Sequence, residues 1–395
     1  MVLSRFLVQS LAWIALFAGL SLVVFGPELA HDAILVLMAI SLLHLIWVPQ
    51  RRRIWRQPAV WMPLVAGVLL LIAFAMTAKS AVHVAAVLVF IHLFMVGPLA
   101  GLLGRLGEQL TLERIAVFAM IGSVGGVIVA LADVFVLGSA RAGLVNNPIH
   151  LADTALMVGF VTPLGFWGKS RMRWMFLVGP LFALATVVLT GSRGPLLAAV
   201  AMFAVMAIAV AASSYSRQMV LRIIGSVIGA LVLVAVAAGV YAAQSPWLFE
   251  GAAIDASTGQ RLIMYEAAVR AFFASPLAGH GLLGYFEAAR AQMPAAVDFP
   301  EYAHLHNDIA DFAVAGGVLG LAAYGLFLFA PLVGAARSRG ALRIPLLYLG
   351  TVTTTGYFAM GMTNAVIGLR WLDIVLAMIL SIIVVLSIRD EENSA

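Results

Sequence analysis

The sequence predicts an all-α, polytopic integral membrane protein of about twelve transmembrane helices with one large, partly helical outer loop. Three observations carry this expectation. The 395 residues are 63% hydrophobic and only 10% charged, with a mean hydropathy of +1.07, far above the roughly half-apolar composition of soluble domains. Apolar runs such as Phe6 to Phe25, Trp61 to Met76, Trp174 to Thr190 and Ile223 to Val240 meet or approach the roughly 20 residues that one helical crossing requires. The cations, finally, alternate from connection to connection.

With the N-terminus inside, the inner connections hold Arg5, then Arg51, Arg52, Arg53 and Arg56, then Arg105 and Arg114, then Lys169, Arg171 and Arg173. They also hold Arg217, Arg222, Arg337, Arg339, Arg343 and Arg389, bringing 16 of the 23 Lys and Arg residues to one side. The net charge of +5 therefore reads as topology, and no nucleic-acid partner is expected. The first run, behind Ser4 and Arg5, lacks a small-residue cleavage site and leads into another apolar segment, so it is read as the first span. Zero cysteines exclude disulfides, thiolate nucleophiles and cysteine-ligated metals. The resulting organisation is residues 1–243 for helices one to nine, 244–307 for the outer loop, and 308–395 for helices ten to twelve and an inner tail.

The loop, from about Gln244 to Asn307, gathers Glu250, Asp255, Arg261, Glu266, Arg270, His280, Glu287, Arg290, Asp298, Glu301, His304 and His306. Ionisable groups next to hydrocarbon are expensive and are usually kept for a purpose, so chemistry at the outer leaflet is the first expectation. Thr258 to Arg270 reads as a helix capped by Thr258. At 3.6 residues per turn Arg261 shares a face with Tyr265, while Arg270 points nearly the opposite way and pairs with Glu266 at i,i+4 as a surface ion pair. Arg261 has no acidic partner at helical spacing and is the better functional candidate. The turn from Ser275 to Phe286 is punctuated by Pro276, Gly279, Gly281 and Gly284, which brings its backbone close to a neighbouring element. Its G-x-G-x-x-G match is not a dinucleotide site, because no βαβ unit surrounds it.

The loop ends at His304-Leu305-His306-Asn307-Asp308, and the chain then re-enters the membrane with Gly316, Gly317 and Gly320. Asn307 or Asp308 caps the new helix, and Gly316 with Gly320 forms a small-xxx-small pair suited to close helix packing. Neither role accounts for the histidines. An imidazole with an ordinary pKa near ~6.5 at a membrane surface suits a general base; a structural histidine and a His-x-His metal site, which lacks an evident third ligand, are the alternatives. A second arginine candidate stands in Thr190-Gly191-Ser192-Arg193-Gly194-Pro195, where Gly191, Gly194 and Pro195 interrupt the helix between two apolar runs. Snorkelling to the headgroups is its alternative role. The lone polar residues His44, His83, His92 and Asp133 are left unassigned.

These pieces, in this order, resemble the O-antigen ligase and polymerase superfamily. His306-Asn307 followed by Gly317 and Gly320 is similar to the ligase histidine signature, and Arg193 with Leu197 to the arginine motif. Arg261 to Gly284 is similar to the family's Arg-bearing helix followed by proline and alternating glycines, with Tyr265 where relatives often carry tryptophan. The motifs span roughly Leu189 to Leu332. The resemblance implies a GT-C-like glycosyltransferase of the bacterial inner membrane, with its active site facing the periplasm. Such an enzyme transfers a glycan from undecaprenyl pyrophosphate to a sugar hydroxyl of lipid A core without a metal or other cofactor. It further implies His306 as base, Arg193 and Arg261 as pyrophosphate ligands, and His304 and Tyr265 among the substrate-binding residues.

An O-antigen polymerase or a protein O-oligosaccharyltransferase of the same superfamily would need the same base and anion site, differing only in acceptor. A membrane transporter is the alternative from another class, since about twelve spans is a common transporter size. No clear repeat relates the two halves of this chain.

Overall fold

The computed structural model describes residues 5–45, 51–143, 147–213, 251–294 and 304–394, with isolated helical positions between 218 and 239. Most of the apolar run Ile223 to Val240, with Arg217, Arg222, Glu250, Asp298 and Glu301, lies outside the described residues, as does the side chain of Asp255. Among the described residues every regular element is helical, as expected where no water is present to satisfy an open strand edge.

Ten helices are long and apolar enough to cross a membrane: Arg5–Phe25, Pro27–Leu45, Pro58–Thr77, Ala81–Gln109, Leu112–Val136, Pro148–Trp167, Arg173–Thr190, Arg193–Ala212, Asp308–Ala335 and Arg370–Ser394. Helix Arg343–Gly361 is more polar, and packs between helices Arg193–Ala212 and Asp308–Ala335. There Thr354 donates to the Leu328 carbonyl at 3.0 Å and Tyr348 to that of Phe160 at 2.7 Å. The last helix is apolar all round over its spanning stretch, and it forms the centre of the bundle with 94% of that stretch buried. In lipid, helices associate by close packing, so small residues mark the contacts. A Cβ at Gly350 would lie 2.6 Å from the Pro331 carbonyl oxygen, and one at Gly122 would lie 2.2 Å from that of Leu20.

Polar pairs sort the connections into two ends. At one, Gln9 donates to the Arg105 carbonyl, Arg105 bonds His44, Arg389 reaches the Leu110 carbonyl, Arg53 pairs with Glu392, and Asp390 accepts from Gly340 and Leu342. This is the end on which the sequence gathers its cations. At the other, Arg370 pairs with Glu28 and Arg141 donates to the Thr190 carbonyl.

The outer loop contributes helix Gly251–Ala274, the short helix Tyr285–Arg290, and the glycine-rich turn between them. Thr258 is not the cap expected of it, because Gly251 to Ser257 continue the helix seven residues upstream. That stretch contains three alanines and no proline, so nothing in it stops the helix. Glu266 and Arg270 form the expected ion pair on the exposed face.

The glycine-rich turn docks as a strap on helix Asp308–Ala335. That helix is kinked at Gly317 (φ 61°, ψ −145°), and the groups released there bond across to the strap. His280 N donates to Val314 O at 2.9 Å, Gly281 N to Ala315 O at 2.9 Å, and Val318 N to Pro276 O at 2.8 Å. Gly279 (φ 64°) is required twice over, since a Cβ there would also lie 2.4 Å from the Val314 carbonyl oxygen. The kink also changes the role expected of Gly316 and Gly320. Gly316 makes an ordinary contact with Leu70, and Gly320 faces the Phe312 carbonyl of its own folded-back helix.

Candidate functional site

The site begins where the loop re-enters the bundle. Asn307 is the N-cap of helix Asp308–Ala335: its Oδ1 accepts from Ala310 N at 3.1 Å, and its Nδ2 donates to the Met362 carbonyl at 3.3 Å. Asp311, in the first turn, reaches back so that Leu305 N donates to its Oδ1 at 2.8 Å. Between these fixed points His306 adopts φ 56°, the sole left-handed non-glycine residue among those described. Such a conformation costs about 1–3 kcal/mol and persists only where surrounding contacts hold it. Here His306 N donates to His304 Nδ1 at 3.2 Å, and the Tyr265 hydroxyl reaches both His306 O at 3.2 Å and Met362 O at 3.4 Å.

The two imidazoles lie 4.3 Å apart at 70°. Because His304 Nδ1 accepts, neutral His304 carries its proton on Nε2. Burial, reinforced by the charge of Arg261, pushes the His306 pKa down to about 4, and a hydrogen bond from the Asn364 side chain opposes that shift. Burial, His306, His150 and Arg261 push His304 down to about 3. Both rings are therefore neutral near pH 7, the form in which an imidazole can take a proton.

Arg261 stands one helical turn before Tyr265 and directs its charge at both histidines. Arg193 arrives from another part of the chain. Helix Arg173–Thr190 ends in a left-handed Gly191 (φ 62°), and Arg193 is the exposed first residue of the next helix. The helix break expected from Gly191, Gly194 and Pro195 is confined to Gly191 and Ser192, since a proline in a first turn has no intrahelical donor to lose. Gly194 packs so closely on Thr363 that a Cβ would lie 2.1 Å from Thr363 Oγ1. Arg141 braces the same turn, donating to Thr190 O at 2.7 Å and to Ser192 Oγ at 3.3 Å.

Residues 362–369 join these parts, and sequence reasoning passed over them. They contact Asn307 and Tyr265 through Met362 and the Arg193 turn through Thr363. The segment is held by Asp308, which accepts from Val366 N at 2.8 Å and Ile367 N at 3.3 Å, and by Asp373, which accepts from Gly368 N at 3.0 Å. Asp308 is thus a cross-brace in addition to a first-turn acid. The available signal was the set of acids Asp153, Asp308, Asp311 and Asp373 within apolar helices.

Two hollows flank the histidines. A cavity of about 210 Å³ is lined by His304, Asp311, Tyr285, Phe90 and Phe312. A largely apolar groove of about 350 Å³ runs along Tyr265, Val269, Phe273, Ile309, Ala313 and Met362. Among the described residues, no three His, Asp or Glu side chains converge as a metal site.

In comparisons with known proteins, residues 178–325 match the family model described as O-Antigen ligase. The matched stretch contains Arg193, Arg261, Tyr265, His304 and His306. No curated protein matches the chain.

Proposed function

We propose, from the membership of residues 178–325 in the O-antigen ligase family, that the chain transfers a glycan from undecaprenyl pyrophosphate to a sugar hydroxyl of lipid A core. The reaction is metal-independent and takes place on the periplasmic face of the bacterial inner membrane. The observation that carries this reading is the neutral, strained His306 set beside Arg261, with the Arg193 turn packed on the same 362–369 segment.

A lipid-linked pyrophosphate is already a good leaving group and needs charge stabilisation more than a proton. Guanidinium groups supply that with charge-assisted, bidentate hydrogen bonds. In the proposed step His306 takes the acceptor hydroxyl proton while the acceptor oxygen bonds to the sugar's anomeric carbon. The bond from that carbon to the pyrophosphate oxygen breaks, and its electron pair leaves with the pyrophosphate, bound by Arg193 and Arg261. His304, through its contact with His306 N, and Tyr265, through His306 O, hold the base in place and line the substrate site. The apolar groove that shares Tyr265 and Met362 with this site suits the polyprenyl chain of the donor.

The reading includes a twelve-span, GT-C-like topology, in which helix Arg343–Gly361 and the run Ile223 to Val240 join the ten apolar helices. Residues 1–243 and 308–395 then form the membrane body, and 244–307 the periplasmic loop. The inner placement of the cation-rich end supports this orientation.

The test is the O-antigen ladder on lipopolysaccharide in a ligase-null strain. Loss of a general base costs about 10²- to 10⁴-fold in rate. His306→Ala is expected to insert normally and to leave the core almost bare. A full ladder from that variant would overturn the assignment.

A further inference from the structure

Helix Pro148–Trp167 crosses the bundle core and carries a fully buried acid, Asp153, with no solvent-exposed surface. Placing an ionisable group inside a spanning helix is expensive, and such groups generally have a partner with a task. Asp153 has one hydrogen-bond partner among the described residues: Asn364 Nδ2 donates to its Oδ2 at 3.2 Å, while Oδ1 is left without one. Asn364 is itself only 2% exposed and belongs to the 362–369 segment that meets His306, Asn307 and Tyr265.

The primary amide has two ends of opposite character. A carboxyl oxygen accepts, so the nitrogen end of Asn364 must face Asp153, and the carbonyl end is left for the other neighbour. That neighbour is the His306 ring, to which the Asn364 side chain is hydrogen-bonded. We propose that Asp153 and Asn364 form a buried positioning relay for His306: Asp153 fixes the orientation of the Asn364 amide, and its Oδ1 accepts the N–H of one imidazole nitrogen, keeping the lone pair on the other for the acceptor hydroxyl. The inference rests on the proposed role of His306 as base. It adds two residues, 211 positions apart in the chain, that lie outside the stretch matched by the family model.

The physical consequence is twofold. A neutral imidazole can place its proton on either nitrogen, and a relay that accepts from one of them removes the unproductive tautomer. When His306 takes the acceptor proton, the bond to Oδ1 becomes charge-assisted and strengthens as the reaction proceeds. Asn364 and Asp153 touch neither sugar nor pyrophosphate in this scheme, so their loss is expected to lower kcat and leave the KM for the lipid-linked donor nearly constant.

The experiment uses the full chain reconstituted in lipid, with lipid-linked glycan as donor and lipid A core as acceptor. His306→Ala, Asn364→Leu, Asn364→Asp, Asp153→Leu and Asp153→Asn are assayed beside the parent, with melting in detergent to confirm folding. Removing a group that orients a reacting residue typically costs about 10- to 100-fold. Asn364→Leu and Asp153→Leu are expected to lose that much in kcat, and Asp153→Asn, which keeps an oxygen acceptor, to recover most of it. The groups facing His306 are His304, Arg261 and Asn364, with His150 behind His304 and Asp153 behind Asn364. Among these, a carboxylate at position 364 favours the imidazolium and a leucine disfavours it. The acid limb of the rate profile therefore moves to higher pH in Asn364→Asp and to lower pH in Asn364→Leu, a divergence that a purely structural role does not produce. Folded Leu variants with the parent kcat, or limbs that do not separate, overturn the relay while an inactive His306→Ala preserves the base. An active His306→Ala overturns both.

Discussion

The position of the acid limb follows from how His306 is enclosed. An exposed imidazole titrates near ~6.5, so a histidine base in water would be about 9% neutral at pH 5.5. Burial first, and the Arg261 charge second, bring His306 to about 4, which leaves about 97% of the ring neutral at that pH. The sign is fixed by the chemistry: only the neutral ring accepts a proton, so activity is present above the pKa and falls as pH drops through it. With protein in lipid nanodiscs and acceptor below saturation, kcat/KM is expected to stay level from about pH 8 to about pH 5.5 and then decline toward pH 4. In the free enzyme this profile reports the base itself. Arg261→Gln supplies the internal control. It removes the second cause and keeps the first, so its limb moves up in pH while its rate falls through loss of a pyrophosphate ligand. A wild-type limb centred near 6.5, or a limb in Arg261→Gln that does not move, would refute the reasoning.

Arg193→Lys keeps the charge and loses the planar fork, and hydrogen bonds to charged groups contribute about 1.5–3 kcal/mol each. A fall of roughly 10- to 100-fold in kcat/KM is expected, measured with the same donor and acceptor; full turnover would argue against direct contact with the pyrophosphate. Gly279→Ala places a Cβ 2.4 Å from the Val314 carbonyl oxygen in a left-handed residue, which alone costs about 1–2 kcal/mol. Its melting temperature in detergent is expected to fall. An unchanged value would contradict the docking of the strap on the Gly317 kink.

The helical bundle was legible because hydrophobic length is a local property: each apolar run announces its own crossing, and alternating cations order the ends. The residue types of the site were legible for a similar reason. A histidine pair at a loop end and arginines in helix interruptions stand out against an apolar background. Arg261 and Tyr265 could be placed on one face by helical spacing alone, and the structure sets both beside His306.

What was not legible is what assembles them. Gly317 looks like one more small residue until a strap 36 to 41 positions upstream is known to bond its neighbours. Residues 362–369 hold little that advertises chemistry, yet they touch the Arg193 turn, the His306 loop and the Tyr265 hydroxyl. Asp308 shows how this is missed. An acid in a first helical turn is fully explained by the helix's own unpaired N–H groups, so a reading of sequence has no reason to look further. In the fold the same carboxylate spans 58 and 59 positions to pin Val366 and Ile367, and so sets the distance between the histidine loop and Asn364. A locally sufficient explanation hid the longer-range one. The same reasoning turns the other buried acids of the spanning helices into the places where a catalytic scaffold of this kind is held to register.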